Sequence, residues 1–122
     1  MTEDRKLLGR WGEGLVADEL RKQGCRILAA GWRCRMGELD LVAADGTYIR
    51  FVEVKLRKND RFAQAREAVD RRKQDKLRVT AQLYLAWHPT QLQPRFDVAE
   101  VYAPEGTATV KPRIIYIENA FE

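Results

Sequence analysis

The spacing of hydrophobic residues along the chain predicts two helices and five strands in the order α-β-β-β-α-β-β. Apolar side chains that recur at helical intervals predict helices over residues 3–23 and about 68–87. Shorter apolar runs predict strands over residues 25–32, 37–44, about 47–56, 95–102 and 113–119. A long helix between consecutive strands favours a central mixed sheet flanked by helices, in the α/β class.

Each predicted helix has an apolar side that would face the sheet. The apolar sides are Leu7, Leu8, Trp11 and Leu15 in the first helix, and Leu77, Ala81, Tyr84 and Leu85 in the second. Gly9, Gly12 and Gly14 would let the first helix approach the sheet closely, and Gly24 suits its C-terminal cap. The segment WRCRM is expected to be a short basic link. Pro112 predicts that the last strand lies at a sheet edge.

The Asp-Gly pair at 45–46 predicts a two-residue hairpin between the second and third strands. In that register Glu38 lies opposite Glu53, and Asp40 is a diagonal neighbour of Glu53. Because side chains alternate along a strand, one face of the hairpin carries four charged residues: Glu38, Asp40, Glu53 and Lys55. The other face is apolar and is predicted to be the main core: Leu39, Leu41, Val52, Val54 and Leu56.

Three acids on one face of a hairpin need compensating positive charge. At a separation of roughly 7–8 Å, two carboxylates repel by about 2 kcal/mol if the effective dielectric constant is about 20. Lys55 can supply one charge, and Mg²⁺ suits the rest because it binds carboxylates together with water and phosphate. This pattern is typical of phosphodiester hydrolysis, with Asp40, Glu53 and Glu38 as metal ligands and Lys55 stabilising developing charge. The alternative is a structural network in which Lys55 only neutralises Glu53.

The positive charge of the chain is concentrated in one window. The 122 residues carry a net charge of +4 with 45% hydrophobic and 33% charged residues, which predicts one globular domain over residues 1–122. Residues 55–78 hold ten Lys or Arg and four Asp or Glu. Such a basic stretch is expected in proteins that bind the phosphate backbone, although a solvated helix face is the alternative. The candidate nucleic-acid-binding residues are Arg33, Arg35, Arg57, Lys58, Arg61, Arg71, Arg72, Lys73 and Lys76.

Other features place limits on the class of protein. No apolar run has the length of a signal peptide or of a membrane span, so we expect a cytoplasmic protein without a membrane partner. Cys25 and Cys34 form neither a C-x-x-C pair nor a disulfide framework. With His88 as the single histidine, no zinc-type cluster is expected, and His88 itself is interpreted as a surface or helix-capping residue.

Several residues outside the hairpin allow two interpretations. Trp32, with Arg33 and Arg35, could stack on a splayed base and hold its backbone, or Trp32 could lie in the core. Asp97 is interpreted as structural. Lys73 begins the basic helix, where a side chain could approach the charged face of the hairpin.

Two short motifs resemble those of a known nuclease superfamily. GELD at 37–40, followed by FVEVK at 51–55, resembles the PD-(D/E)xK arrangement of restriction-endonuclease-like proteins. Over residues 9–102, five segments resemble in their order the YraN-like family of bacterial endonuclease-like proteins: GRWGEGLVADEL, WRCRMGELDLVAADG, FVEVKLR, AQLYL and RFDVAEV. Leu39 stands where the superfamily has proline before the first acid.

This resemblance implies a restriction-endonuclease-like core related to Holliday-junction resolvases. It implies that Asp40 and Glu53 bind Mg²⁺ or Mn²⁺, that Lys55 is catalytic, and that Glu13 is a further acid near the metal. The expected function is a metal-dependent endonuclease acting on DNA, branched or junction DNA included. A homodimer is expected by analogy, because a junction has two scissile strands. The alternatives are a non-catalytic nucleic-acid-binding module on the same fold and a nuclease that acts on RNA.

Overall fold

The computed structural model describes residues 5–58 and 69–122, in which a five-stranded mixed sheet carries one helix on each face. Its elements are α1 (Arg5–Lys22), β1 (Arg26–Cys34), β2 (Gly37–Ala44), β3 (Tyr48–Arg57), α2 (Arg71–Trp87), β4 (Gln93–Tyr102) and β5 (Arg113–Phe121), with a short 3-10 turn at Gly106–Ala108. The predicted α/β class and the predicted order of elements are therefore confirmed.

The strands lie side by side in chain order, from β1 at one edge to β5 at the other. All neighbours are antiparallel except β3 and β4, which are parallel. A parallel pair needs a crossover connection, and α2 supplies it. The edge position predicted for β5 from Pro112 is confirmed. Among the described residues, no helix combines the length and apolarity needed to cross a membrane.

The sheet has a hydrophobic core on each face, not one main core. The core under α1 includes Val16, Leu20, Leu41, Val52 and Val101. The core under α2 includes Leu39, Val42, Phe51, Leu77 and Val98. Both faces are covered by a helix, which explains why the central strands have buried residues on both of their faces.

Leu39 lies on the opposite face from the one predicted. It packs under α2, whereas Leu41, two residues along the same strand, packs under α1. The alternation assumed from the sequence is therefore interrupted at Asp40. The β1–β2 pairing is irregular at the same point, because Gly31, which lies opposite Asp40, has a φ of 66°.

The buried side of α1 also differs from the prediction. The buried residues of the helix are Gly12, Val16, Ala17 and Leu20. Leu7 is 58% exposed, although the pattern had placed it on the inner side. Of the three glycines, Gly12 allows the close approach, since a Cβ atom there would lie 3.1 Å from a methyl carbon of Leu56. At Gly9 and Gly14 an added Cβ would meet no atom within 4 Å.

Two element boundaries differ from the prediction for local reasons. The helix predicted from about residue 68 begins at Arg71, because the carboxylate of Asp70 accepts the N–H of Lys73 at 2.9 Å and caps it. The WRCRM segment is not a link, since β1 continues through Cys34 in its pairing with β2. At the far end of α2, His88 is the exposed C-cap that the sequence predicted.

The hairpin turn is shifted by one residue, and the strand register therefore by two. Asp45 and Tyr48 close the turn through a backbone hydrogen bond of 3.0 Å, so Gly46 and Thr47 are its central residues. The cause is the side chain of Asp45, whose Oδ1 accepts the N–H groups of Thr47 and Tyr48 at 2.7 and 2.6 Å. Leu41 consequently pairs with Val52. Where β2 and β3 are paired, from Leu41 to Ala44, an even shift keeps each side chain on its predicted face but changes its cross-strand partner.

Candidate active site at the strand fork

β2 and β3 separate from one another beyond the pair Leu41–Val52, and we call this opening the strand fork. Past that pair, β2 continues in register with β1 to Gly37, while β3 continues with β4 to Arg57. One further step of the β2–β3 register would set Asp40 opposite Glu53. At that step a side-chain hydrogen bond takes the place of the hydrogen bonds between the two backbones, because Oδ2 of Asp40 accepts the N–H of Val54 at 2.9 Å.

The fork gathers acids from three elements. Glu13 of α1 and Glu38 and Asp40 of β2 each place one carboxylate oxygen within 4.8 Å of the others. Glu53 of β3 is 5% exposed, and its negative charge acts on both Asp40 and Glu13. The structure thus brings Glu38 and Asp40 of β2 close to Glu53 of β3, and Glu13 joins them from the helix.

Like charges and burial strongly perturb two of these acids. The pKa of Asp40 is raised to about 8, first by burial and then by the charge of Glu53 and a hydrogen bond with the Glu53 carboxyl group. The hydrogen bond from the N–H of Val54 acts in the opposite direction and lowers this pKa. Burial, with the charges of Glu38 and Glu53, raises the pKa of Glu13 to about 7. The acids therefore lack sufficient positive charge around them.

The donor set fits a hard divalent cation. Mg²⁺ and Mn²⁺ prefer carboxylate oxygens, and a bound cation would supply the charge that the acids lack. Within the described residues, the group with metal-ligand spacing is Glu13, Glu38 and Asp40, so the helix acid takes a place that the hairpin pattern alone gave to Glu53. Glu53 lies at the side of this group and is turned toward lysines.

Two lysines contact the Glu53 carboxylate. Its Oε2 lies 3.6 Å from Nζ of Lys55 and 3.3 Å from Nζ of Lys73. Lys55 follows Glu53 by two residues on β3, and Lys73 reaches the fork from the first turn of α2, where the Asp70 cap fixes the start of the helix. From the sequence, Lys73 was a phosphate-binding candidate whose side chain could approach the charged face of the hairpin, and its contact with Glu53 places it beside the acids.

Two clefts meet at the fork. The cleft on the α1 side has a volume of about 750 Å³, and its charged lining includes Arg5, Lys6, Arg10, Glu13, Arg33 and Glu38. The cleft on the α2 side has a volume of about 480 Å³ and includes Arg33, Glu38, Asp40, Lys73, Lys76 and Thr80. Arg33 and Glu38 line both clefts and form an ion pair of 3.2 Å. Acids thus occupy the centre and cations the margins.

The other predicted phosphate-binding residues have different surroundings. The exposed ones are Lys58 directly after β3, Arg71, Arg72 and Lys76 on α2, and Arg35 in the turn between β1 and β2. Arg57 is paired with the buried Glu100 at 3.0 Å, which favours a structural role. Arg61 lies outside the described residues.

Two residues with open interpretations are resolved by their contacts. Trp32 is half-buried and packs edge-on against Tyr84, with ring centroids 5.3 Å apart, so it is a core residue. Asp97 is fully buried and paired with Arg95, which agrees with its structural interpretation.

Comparison with known proteins identifies the family of the chain. A family model described as the uncharacterised protein family UPF0102 matches residues 12–101. The chain belongs to the UPF0102 family. That match spans every acid and both lysines of the strand fork.

Relatives within UPF0102 align over most of the chain. A UPF0102 protein of Pelotomaculum thermopropionicum is 44% identical over 99% of this chain and 100% of its own length. A UPF0102 protein of Mycolicibacterium vanbaalenii is 48% identical over 82% of this chain and 84% of its own length. A UPF0102 protein of Pseudomonas aeruginosa is 40% identical over 93% of this chain and 91% of its own length. These names give the family alone.

Proposed function

We propose that the protein is a metal-dependent phosphodiesterase of the endonuclease type that cleaves DNA, branched or junction DNA included. The observation that supports this proposal is the strand fork, where the acids Glu13, Glu38 and Asp40 lie within 4.8 Å of one another beside Glu53 and its two lysines. The resemblance of GELD and FVEVK to the PD-(D/E)xK motif supports the same chemistry, because its acids and its lysine are the residues that meet there.

Glu13, Glu38 and Asp40 would hold Mg²⁺ or Mn²⁺, with Glu53 beside them. A cation bound there would polarise a phosphoryl oxygen and lower the pKa of a bound water. Asp40 is held in one orientation by the N–H of Val54, so its free oxygen can point into the fork. Lys55, which is 28% exposed, can reach a phosphate and stabilise the charge that develops on it.

The phosphate backbone would run over the cationic margins of the fork. Lys58, Arg71, Arg72 and Lys76 are exposed and would contact phosphates without reading sequence. Binding that depends on such contacts weakens steeply as salt rises. A homodimer and a cytoplasmic setting belong to the proposal by family resemblance and by sequence, respectively.

A non-catalytic nucleic-acid-binding module is the second candidate. The observation that favours it is the pairing of Glu53 with Lys55 and Lys73, because a carboxylate held by two ammonium groups can be purely structural. The remaining acids argue against it, since a binding protein has no use for like charges next to a phosphate.

Cleavage assays on matched variants test the proposal. The full-length protein is incubated with junction, flap and linear DNA, and with RNA of the same sequence, in Mg²⁺ or Mn²⁺ and in EDTA. Lys55→Met should reduce cleavage on the order of 10²–10³-fold, and Glu53→Gln by at least as much. The controls are Lys111→Met and Glu105→Gln, which change exposed residues of the β4–β5 connection and should leave cleavage unchanged.

The outcomes separate the candidates. Equal cleavage by wild type and both fork variants would overturn the assignment of the site. DNA binding without cleavage by any form would replace the nuclease with the binding module. Cleavage of RNA alone would keep the chemistry and change the substrate.

A further inference from the structure

An exposed aromatic groove lies next to the fork at the end of α2. Its volume is about 780 Å³, and its lining includes Arg33, Arg35, Met36, Leu83, Trp87 and His88, which we call the Trp87 groove. Trp87 is 78% exposed and Met36 is 48% exposed. A tryptophan this exposed leaves a large apolar surface in water, and such surfaces mark binding sites when they sit among charged residues.

The core does not need Trp87. Trp32 and Tyr84 fill the space between β1 and α2 with an edge-on contact, and the His88 ring stacks on Tyr84 at 4.2 Å. α2 ends at Trp87, and the His88 cap closes the helix by donating its N–H to the carbonyl of Tyr84 at 2.8 Å. The indole is therefore carried on a fixed helix end, outside the packed interior.

The groove adjoins the acids of the fork. Arg33 and Cys34 line both the Trp87 groove and the cleft that holds Asp40 and Lys73. A chain that passes Asp40 can therefore enter the groove without leaving the surface. Arg33, with a side chain that is 68% exposed, and Arg35, which is exposed in the β1–β2 turn, place two guanidinium groups along this path.

The positive charges of the Trp87 groove favour a nucleotide as its ligand. A nucleotide presents a flat apolar base and an anionic phosphate, which match an indole and two arginines. An apolar peptide would gain from Trp87 and Met36 but would have no use for Arg33 and Arg35. Away from the ends of a duplex each base is covered by its neighbours, so an indole at the surface can stack there only on a base that is unpaired.

We infer that the Trp87 groove binds an unpaired nucleotide next to the phosphate that the fork acts on, with Trp87 stacking on the base and Arg33 and Arg35 holding the adjoining backbone. This inference rests on the proposed nuclease function and narrows its substrate to DNA with single-stranded character at the cleavage site. Base stacking was one of the two interpretations that the sequence allowed for Trp32, whereas the indole exposed at the surface is that of Trp87.

Binding measurements on two related DNAs test the groove. A labelled blunt duplex and the same duplex with a single-stranded extension are titrated with full-length protein, with Ca²⁺ supplied and Mg²⁺ withheld. Trp87→Ala should weaken binding of the extended duplex about tenfold and change binding of the blunt duplex by less than about twofold. Trp87→Phe should keep most of the affinity because it keeps a stacking face. Val110→Ala, which trims another exposed apolar side chain, is the control.

Equal weakening of both DNAs by Trp87→Ala, or of neither, would overturn the inference, provided that thermal melts show the variant folded. Conversion of a dimer to a monomer by Trp87→Ala would assign the groove to a second copy of the chain and overturn it too. The cleavage assay separates the two proposals. If the protein prefers the extended duplex through Trp87 but cleaves no DNA, the inference about the groove stands and the proposed nuclease function is wrong. If cleavage depends on Glu53 but Trp87 gives no preference for the extended duplex, the nuclease function stands and the inference about the groove is wrong.

Discussion

Asp40 and Asp97 are acids on the two strands that flank β3, and they are held in opposite ways. Asp97 is fully buried and accepts hydrogen bonds from Nε and Nη2 of Arg95 at 2.9 and 3.0 Å, from the N–H of Asn119 at 2.9 Å and from the hydroxyl of Tyr116. Asp40 accepts one backbone N–H and otherwise faces acids.

The difference shows that burial alone does not distinguish a structural acid from a functional one. Around Asp97 the contacts are hydrogen-bond donors, one of them the guanidinium of Arg95. Glu100, also on β4, follows the same rule, with Arg57 and the hydroxyl of Tyr102 as donors. At the fork, burial comes with like charges, an arrangement that costs stability unless a ligand compensates for it.

The largest expected effect is on the structural side of this comparison. Asp97→Ala should lower the free energy of unfolding by about 3–5 kcal/mol, because it leaves Arg95, whose side chain is 10% exposed, without its main partner. Urea denaturation followed by circular dichroism measures the change. A loss below about 1 kcal/mol would mean that the Asp97 network is not structural in the sense argued here.

The carboxylate of Asp45, in the β2–β3 turn, is a third acid, and its effect on stability should depend on pH. Burial acts against ionisation of Asp45, but the N–H groups of Tyr48 and Thr47 and the guanidinium of Arg50 lower its pKa to about 2. A lowered pKa stabilises the fold above pH 4, and the contribution of about 2 kcal/mol is lost as the pH falls from 4 to 2. The wild type should exceed Asp45→Asn in stability by that amount at pH 6.

Unfolding measured between pH 6 and pH 2 checks the expectation for Asp45. The gap between wild type and Asp45→Asn should close as the pH falls. A gap that stays constant across this range would show that the carboxylate charge is not what stabilises the turn.

Asp40→Asn should raise the free energy of unfolding, whereas Asp97→Ala should lower it. It keeps an oxygen for the N–H of Val54 and removes a charge beside Glu53, so stability should rise by about 1 kcal/mol while cleavage is lost. Because the folded-state pKa of Asp40 is raised to about 8, the unfolded chain releases this proton at lower pH than the folded protein does. The destabilisation due to Asp40 therefore grows as the pH rises from 4 to 8, and the gain from Asp40→Asn should be larger at pH 8 than at pH 5. Melting temperatures at the two pH values measure it, and a variant less stable than wild type at pH 8 would contradict the account.

The smallest expected effect concerns the lysines of the fork. Lys73 is 45% exposed, so Lys73→Ala should lower stability by less than about 1 kcal/mol. Salt should reduce this difference, since exposed charges are screened, whereas the effect of Asp97→Ala should hardly change with salt. Denaturation at low and high salt compares the two variants. If the effects of the two substitutions depend equally on salt, the proposed difference between the exposed charge of Lys73 and the buried charge of Arg95 would be wrong.

The features that depend on local sequence pattern were predicted correctly. The order of elements and the bounds of β2 follow from periodicity along the chain, which an error in strand register does not disturb. The register itself depended on which residues Asp45 caps with its side chain. Because that choice is made by hydrogen bonds and not by hydrophobicity, the Asp-Gly signal misplaced the turn by one residue.

Other errors arose from contacts between elements that are distant in the chain. Lys73 reaches Glu53 only because α2 begins where Asp70 caps it, and Asp70 three residues before Lys73 was the available signal. Leu39 packs on the other face beside the irregular β1–β2 pairing at Gly31, which is not apparent from the pattern of β2 alone. Periodicity could not decide which tryptophan fills the core and which stays at the surface, since both lie beside apolar positions.

The hydrogen bond from Val54 to Asp40 gives the fork a spectroscopic reporter. Most amides in a sheet are protected from exchange with solvent by backbone carbonyls, whose acceptor strength does not vary with pH. The Val54 amide is protected by a carboxylate instead, so its exchange rate and chemical shift follow the charge on Asp40. One backbone resonance would thus record when a proton or a cation arrives at the fork, without any substrate being present.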